Sequence, residues 1–211
     1  MNWLAHLYLA AHADDALLGA LLGDFVRGAS GLERWGAVAE TEIRLHRRID
    51  AFTDAHPRVA ALRGRFAPGR RRYAGIVLDV HFDHLLARDW SHWRGRAPGT
   101  DAPLDAFTAR ACRVLRERAD ALPPRLQAIA PRMADDDWLG RYRERASVDR
   151  AVTRMSRRLS RNGERLVDAL QDLRTLEADA DAAFAPFFDD LIGFAAGERA
   201  RLRDADASAR A

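Results

Sequence analysis

Between Tyr73 and Trp93 the chain is apolar on almost every side. Ile76, Val77, Leu78, Val80, Phe82, Leu85 and Leu86 leave no continuous polar face around a helical turn. Such a segment belongs at the centre of a bundle, sheathed by other helices. The rest of the chain follows suit: helical periodicity runs nearly throughout, and no stretch alternates apolar and polar residues as a half-buried strand does. The expected fold is all-α, a single multi-helix bundle.

Local signals divide the bundle. Asn2 stands as the cap of a first helix carrying Leu4, Leu7 and Ala11. Asp14 or Asp15 caps a second, with Leu17, Leu18, Leu21, Leu22 and Phe25 on its apolar face and Gly28 as its stop. A third is expected from about Glu33 to Asp54, ended by His56-Pro57, and Pro57 opens a fourth. The central helix is followed by a loop from Gly95 to Pro103 and a sixth helix up to Leu122, broken by Pro123-Pro124. Ser147 is read as the cap of a helix reaching Leu159, and Asn162-Gly163 as a further break. Pro186 is expected to kink or restart the last helix. Residues 1–200 read as one domain, and 201–211 as a frayed tail.

Composition narrows the setting. The longest apolar run, Ala16 to Gly23, is too short to cross a bilayer, and the N-terminus lacks a basic n-region, so it reads as structure. One cysteine, Cys112, excludes a disulfide framework and a thiolate zinc site and suits a reducing, cytoplasmic compartment. All 34 basic residues are arginine and the net charge is +3, compatible with an acidic partner, whether nucleic acid or protein.

Several polar residues fall where the helical period calls for apolar ones. His46 and Asp50, four apart, stack on one face beside Ile43, Ile49 and Thr53. Asp24 follows Leu17 and Leu21 towards the core. Asp79, Asp83 and His84 share a face with Ile76 and Val80, and His6 lies between Leu4 and Leu7. Taken singly, each reads as a local hydrogen bond or a buried bridge, such as Asp24 to Arg27 or Arg47. Taken together, inward acids and imidazoles on several helices need cations between them, arginines or a metal. Nitrogen and oxygen donors without thiolates suit manganese, iron, magnesium or zinc, and helical bundles build such sites from facing helices. The arginine runs at 70–72 and 141–145 read by default as solvated faces.

Four short stretches carry a family resemblance. Asn2-Trp3-Leu4-Ala5-His6-Leu7, Gly23-Asp24-Phe25-Val26-Arg27-Gly28, His46-Arg47-Arg48-Ile49-Asp50 with Thr53-Asp54, and Leu78-Asp79 with Asp83-His84 resemble, in order, the motifs of acyl carrier protein phosphodiesterase. The resemblance runs in register to about Trp93 and continues more weakly through Trp138-Leu139-Arg141-Tyr142-Arg143. It implies an all-helical enzyme distantly related to HD-type metal-dependent phosphohydrolases. Such an enzyme removes 4'-phosphopantetheine from holo-acyl carrier protein with a divalent cation, typically Mn2+, with Mg2+ or Fe2+ as alternatives. The adjacent His-Asp dyad of HD-type sites is missing: Arg47 follows His46, and Asp83-His84 runs in reverse.

On that reading the metal ligand candidates are Asp24, His46, Asp50, Asp79 and Asp83. His6 and His84 are the candidate general acids, and Arg47 or Arg27 would steady the phosphate. Arg70, Arg71 and Arg72 are the expected docking surface for acyl carrier protein, a small acidic helical protein. Neither nucleic acid nor membrane is expected as a partner. Two alternatives share the sequence: an HD-type phosphohydrolase acting on nucleotides, and a non-enzymatic arginine-rich helical binding module. A pure nucleic-acid binder has no use for inward Asp24, Asp79 and Asp83.

Overall fold

The structure is a computed structural model that describes residues 1–28 and 30–210. Among these there is no strand. The helices are α1 (Trp3–Leu9), α2 (Asp14–Leu22), α3 (Ala37–Ala55), α4 (Pro57–Arg65), α5 (Arg71–Arg88), α6 (Trp90–Trp93), α7 (Leu104–Glu117), α8 (Pro124–Gln127), α9 (Ala130–Asp135), α10 (Ala146–Ser156) and α11 (Gly163–Arg210), with short 3-10 turns at Glu33–Trp35, Ala119–Ala121 and Gly140–Arg143.

The all-round apolar segment becomes α5, which packs against α1, α4, α10, α11 and the Gly140–Arg143 turn. One contiguous apolar core extends from Met1 to Leu202. The segment is shorter than its periodicity suggests. The helix breaks at Asp89, and Trp90 turns inward against Tyr8 and Phe107, with ring centroids 5.6 and 4.8 Å away.

Helices α2 and α3 approach each other closely, and two glycines make it possible. A Cβ on Gly19 would lie 2.4 Å from the Ala39 carbonyl oxygen, and one on Gly23 would lie 2.2 Å from His46 Cγ. Only bare backbone lets α3 bring His46 this near. A second clamp sets α3 against α11: Arg199 donates to both oxygens of buried Glu42 at 2.5 and 3.0 Å and to the Leu9 carbonyl at 2.7 Å.

Several boundaries differ from the sequence reading. Ala13, not Asp14 or Asp15, stands at the α2 cap position, and α2 stops at Leu22 rather than Gly28. The residues after it form a turn in which Phe25 and Val26 both donate to the Leu22 carbonyl. Gly36, at φ +82°, separates the 3-10 turn from α3, so α3 begins at Ala37. The sixth predicted helix ends at Glu117, and Ser147 does not cap α10 because its hydroxyl donates to the Arg141 carbonyl. Helix α11 runs through Pro186 without restarting and on to Arg210, with Leu202 buried; Ala211, the last residue of the expected tail, lies outside the described residues.

Candidate metal centre

Three side chains from two helices converge. His6 comes from α1, His46 and Asp50 from α3, and one donor atom of each lies within 4.8 Å of the others. The two imidazoles stack with centroids 3.6 Å apart and planes inclined by 11°. His6 Nε2 is 3.1 Å from Asp50 Oδ1; His46 Nε2 is 3.4 Å from Asp50 Oδ2 and 3.3 Å from Asp24 Oδ1. Asp24 is held from behind, where Trp3 Nε1 donates to its Oδ2 at 2.6 Å.

The end of α2 fixes the tautomer of His46. A helix leaves its last carbonyls without intrahelical partners. Ala20 supplies one of them, and His46 Nδ1 donates to it at 2.8 Å. With its hydrogen on Nδ1, a neutral His46 turns a bare Nε2 lone pair towards two carboxylates. That geometry calls for positive charge between them, a proton or a metal ion. The arrangement is the one histidine ligands adopt, the second ring nitrogen oriented by a backbone carbonyl. His6 Nδ1 is buried without a partner. The donor set therefore fits a divalent cation bound by two imidazoles and a carboxylate.

The charges agree with this. Burial, reinforced by neighbouring His46, pushes His6 down to about 4, so it is neutral at physiological pH. Burial alone would raise the Asp50 carboxyl, but the His6 hydrogen bond and nearby positive charge outweigh it and hold the group below its usual range. Asp24 is also lowered: burial works against ionisation, and the adjacent His46 ring and the hydrogen bond from Trp3 overcome it. On the far side the Met1 ammonium sits 3.2 Å from both Asp50 Oδ1 and Asp79 Oδ1. Burial opposes its charge, yet the two carboxylates raise it to about 10.

A family model described as acyl carrier protein phosphodiesterase matches residues 1–191. The chain belongs to the acyl carrier protein phosphodiesterase family. Among curated relatives bearing that name, the one from Klebsiella pneumoniae subsp. pneumoniae is 37% identical over 195 residues, covering 92% of this chain and 97% of the relative. The Serratia proteamaculans relative is 40% identical over 161 residues, 76% of this chain and 80% of its own. The Photorhabdus laumondii relative is 36% identical over 188 residues, covering 89% and 91%. No solved structure matches the chain.

In this member of the acyl carrier protein phosphodiesterase family, the other sequence candidates lie in varied places. Asp24 sits in the turn after α2 with its side chain 46% exposed, so it lines the mouth of the centre instead of pointing into the core. Asp79 faces the Met1 ammonium, and burial raises its carboxyl despite that charge. Asp83 is outside the cluster: fully buried, it accepts from the Leu4 and Ala5 amides at 2.8 and 3.0 Å and anchors the start of α1. His84 turns away, its Nδ1 donating to the Tyr142 carbonyl at 2.7 Å. Arg47 donates to the carbonyls of Val26 and Gly28 at 2.7 and 2.6 Å, which braces the turn that carries Asp24.

The 70–72 run is largely committed. Arg70 grips Asp172 with two 2.7 Å bonds, Arg71 donates to the Phe66 carbonyl, and Arg72 lies over Tyr73. Trp3 and the Met1 ammonium escaped the residue-level reading. Trp3 falls within the first resembling motif, but no spacing rule marks an indole as the partner of a distant carboxylate. Among the described residues no helix is long and apolar enough to cross a membrane.

Proposed function

We propose that the protein hydrolyses the phosphodiester joining 4'-phosphopantetheine to acyl carrier protein, releasing the apo protein. His6, His46 and Asp50 would hold the divalent cation, manganese first among the candidates. The observation that carries the reading is the bare His46 Nε2 between Asp24 and Asp50, in a chain of this family. A divalent cation held there supplies Lewis acidity towards the phosphodiester and the attacking water.

The chain's own groups divide the remaining work. Asp24, with Oδ2 fixed by Trp3, keeps Oδ1 at the mouth of the centre to orient the attacking water and accept its proton. His46 is locked by Ala20, and the stacked His6 covers its other face. The Met1 ammonium and Asp79 close the inner side, and the ammonium helps His6 keep Asp50 ionised. We read the bundle as HD-like because helix-borne histidine and aspartate meet across facing helices. We place the reaction in the cytoplasm, since the single Cys112 is buried and unpaired and suits a reducing compartment.

Mass spectrometry of holo-acyl carrier protein incubated with the protein and Mn2+, with and without chelator, tests this. The expected result is loss of the phosphopantetheine mass, blocked by chelator. An unchanged carrier protein, with turnover of a nucleotide panel instead, would overturn it in favour of a nucleotide phosphohydrolase.

A further inference from the structure

Beside the centre, a cavity of about 70 Å³ opens between the Gly140–Arg143 turn and α10. Trp138, Tyr142 and Ser147 wall it, and Arg141, Arg150 and Arg154 rim it together with Asp136. Its volume admits a few waters, or one carboxylate. Glu144 neutralises Arg150 at 2.7 Å. Arg141 and Arg154 have no carboxylate partner among the described residues, and the Arg154 guanidinium lies 4.3 Å over the Trp138 ring. Three guanidiniums against Asp136 and Glu144 leave the rim positive.

The cavity is tied to the centre through the first residues of the chain. Trp138 meets Trp3 edge-on at 5.2 Å, and Trp3 donates to Asp24. Asn2 donates to Tyr142 Oη at 2.7 Å. Two indole rings thus stand between Asp24 and the cavity, so an anion seated in it is a different group from a phosphate at His6, His46 and Asp50. The phosphopantetheine arm carries no negative charge beyond its phosphate, so the second anion must come from the protein that bears the arm.

Building on the proposed function, the geometry points to this cavity as the seat of one carboxylate of the carrier protein, docked while its phosphodiester lies at the metal centre. Docking thereby falls to Arg141 and Arg154 rather than to the partnered Arg70 run.

The test is the double variant Arg141→Ala/Arg154→Ala beside the unaltered protein. Isothermal titration with holo-acyl carrier protein in chelator measures affinity without turnover, and kinetics with Mn2+ give KM and kcat. Expected are an affinity loss and a KM rise of about ten-fold, a shallower salt dependence, and kcat and Mn2+ affinity within about two-fold. The swap Arg141→Glu/Arg154→Glu weakens binding further. Unchanged affinity and KM, in a protein whose unaltered form binds and hydrolyses the carrier protein, overturns the docking assignment alone. Loss of kcat and Mn2+ affinity in step with binding also overturns it, by making the cavity part of the centre. If the unaltered protein neither binds nor hydrolyses the carrier protein, the functional reading itself falls.

Discussion

His6 and His46 stack face to face, 3.6 Å between centroids, although they come from helices far apart in the chain. The contact depends on Gly23, whose missing side chain leaves room for the His46 ring. The backbone there is ordinary right-handed helix, at φ −50° and ψ −37°, so alanine is conformationally acceptable and the cost is steric. Gly23→Ala is therefore predicted to push His46 off its Ala20 bond. Mn2+ affinity should fall about ten-fold or more while stability drops by only about 1–3 kcal/mol. Calorimetric titration and denaturant unfolding check both halves.

Trp3→Phe keeps the aromatic contact with Trp138 but removes the donor to Asp24. The prediction is a kcat loss of about ten-fold or more with KM little changed, since the carboxylate loses its orientation and the substrate loses no contact. A KM rise at constant kcat would assign Trp3 to substrate binding instead.

The sequence made the His46–Asp50 pair legible because helical period alone aligns residues four apart. The central place of α5 was legible for a similar reason: an all-round apolar helix has nowhere else to go. Asp24 was half legible. Its approach to His46 follows from α2, but its exposure follows from where α2 ends, which the continuing apolar pattern through Phe25 concealed. Asp79 and Asp83 look like ligands because inward carboxylates demand compensation. Their compensation is the Met1 ammonium and two α1 amides, groups with no side-chain signature. Arg70 shows the converse, since an arginine run looks free until Asp172 arrives from α11.

Acid should destabilise the metal-free protein in part through His81. This side chain is fully buried, and burial pushes it down to about 4 despite its bond to Asp181. Between pH 6.5 and 4 the unfolded chain takes up a proton that the folded chain refuses. The contribution is therefore complete above pH 6.5 and is lost as the pH falls towards 4, by about 3 kcal/mol. Asp83 runs the other way: burial raises it to about 7, so its contribution is present below 3.8 and lost as the pH rises through 7. Denaturant unfolding in chelator at several pH values should show His81→Gln to be less acid-sensitive than the unaltered chain. Equal acid losses would contradict this.

Arg199→Ala strands the buried Glu42 carboxylate, and a loss of about 3–5 kcal/mol is predicted. Replacing both partners with leucine should recover much of it. Unfolding midpoints for the single and double variants decide the matter.

Mn2+ titrated calorimetrically into the metal-free protein, and into His46→Ala with its helix content verified by circular dichroism, probes the centre itself. Saturable binding in the unaltered chain, weakened about a hundred-fold or more in the variant, is the expected result. Equal Mn2+ affinity in the two proteins would contradict the assignment of His6, His46 and Asp50 as the cation's site.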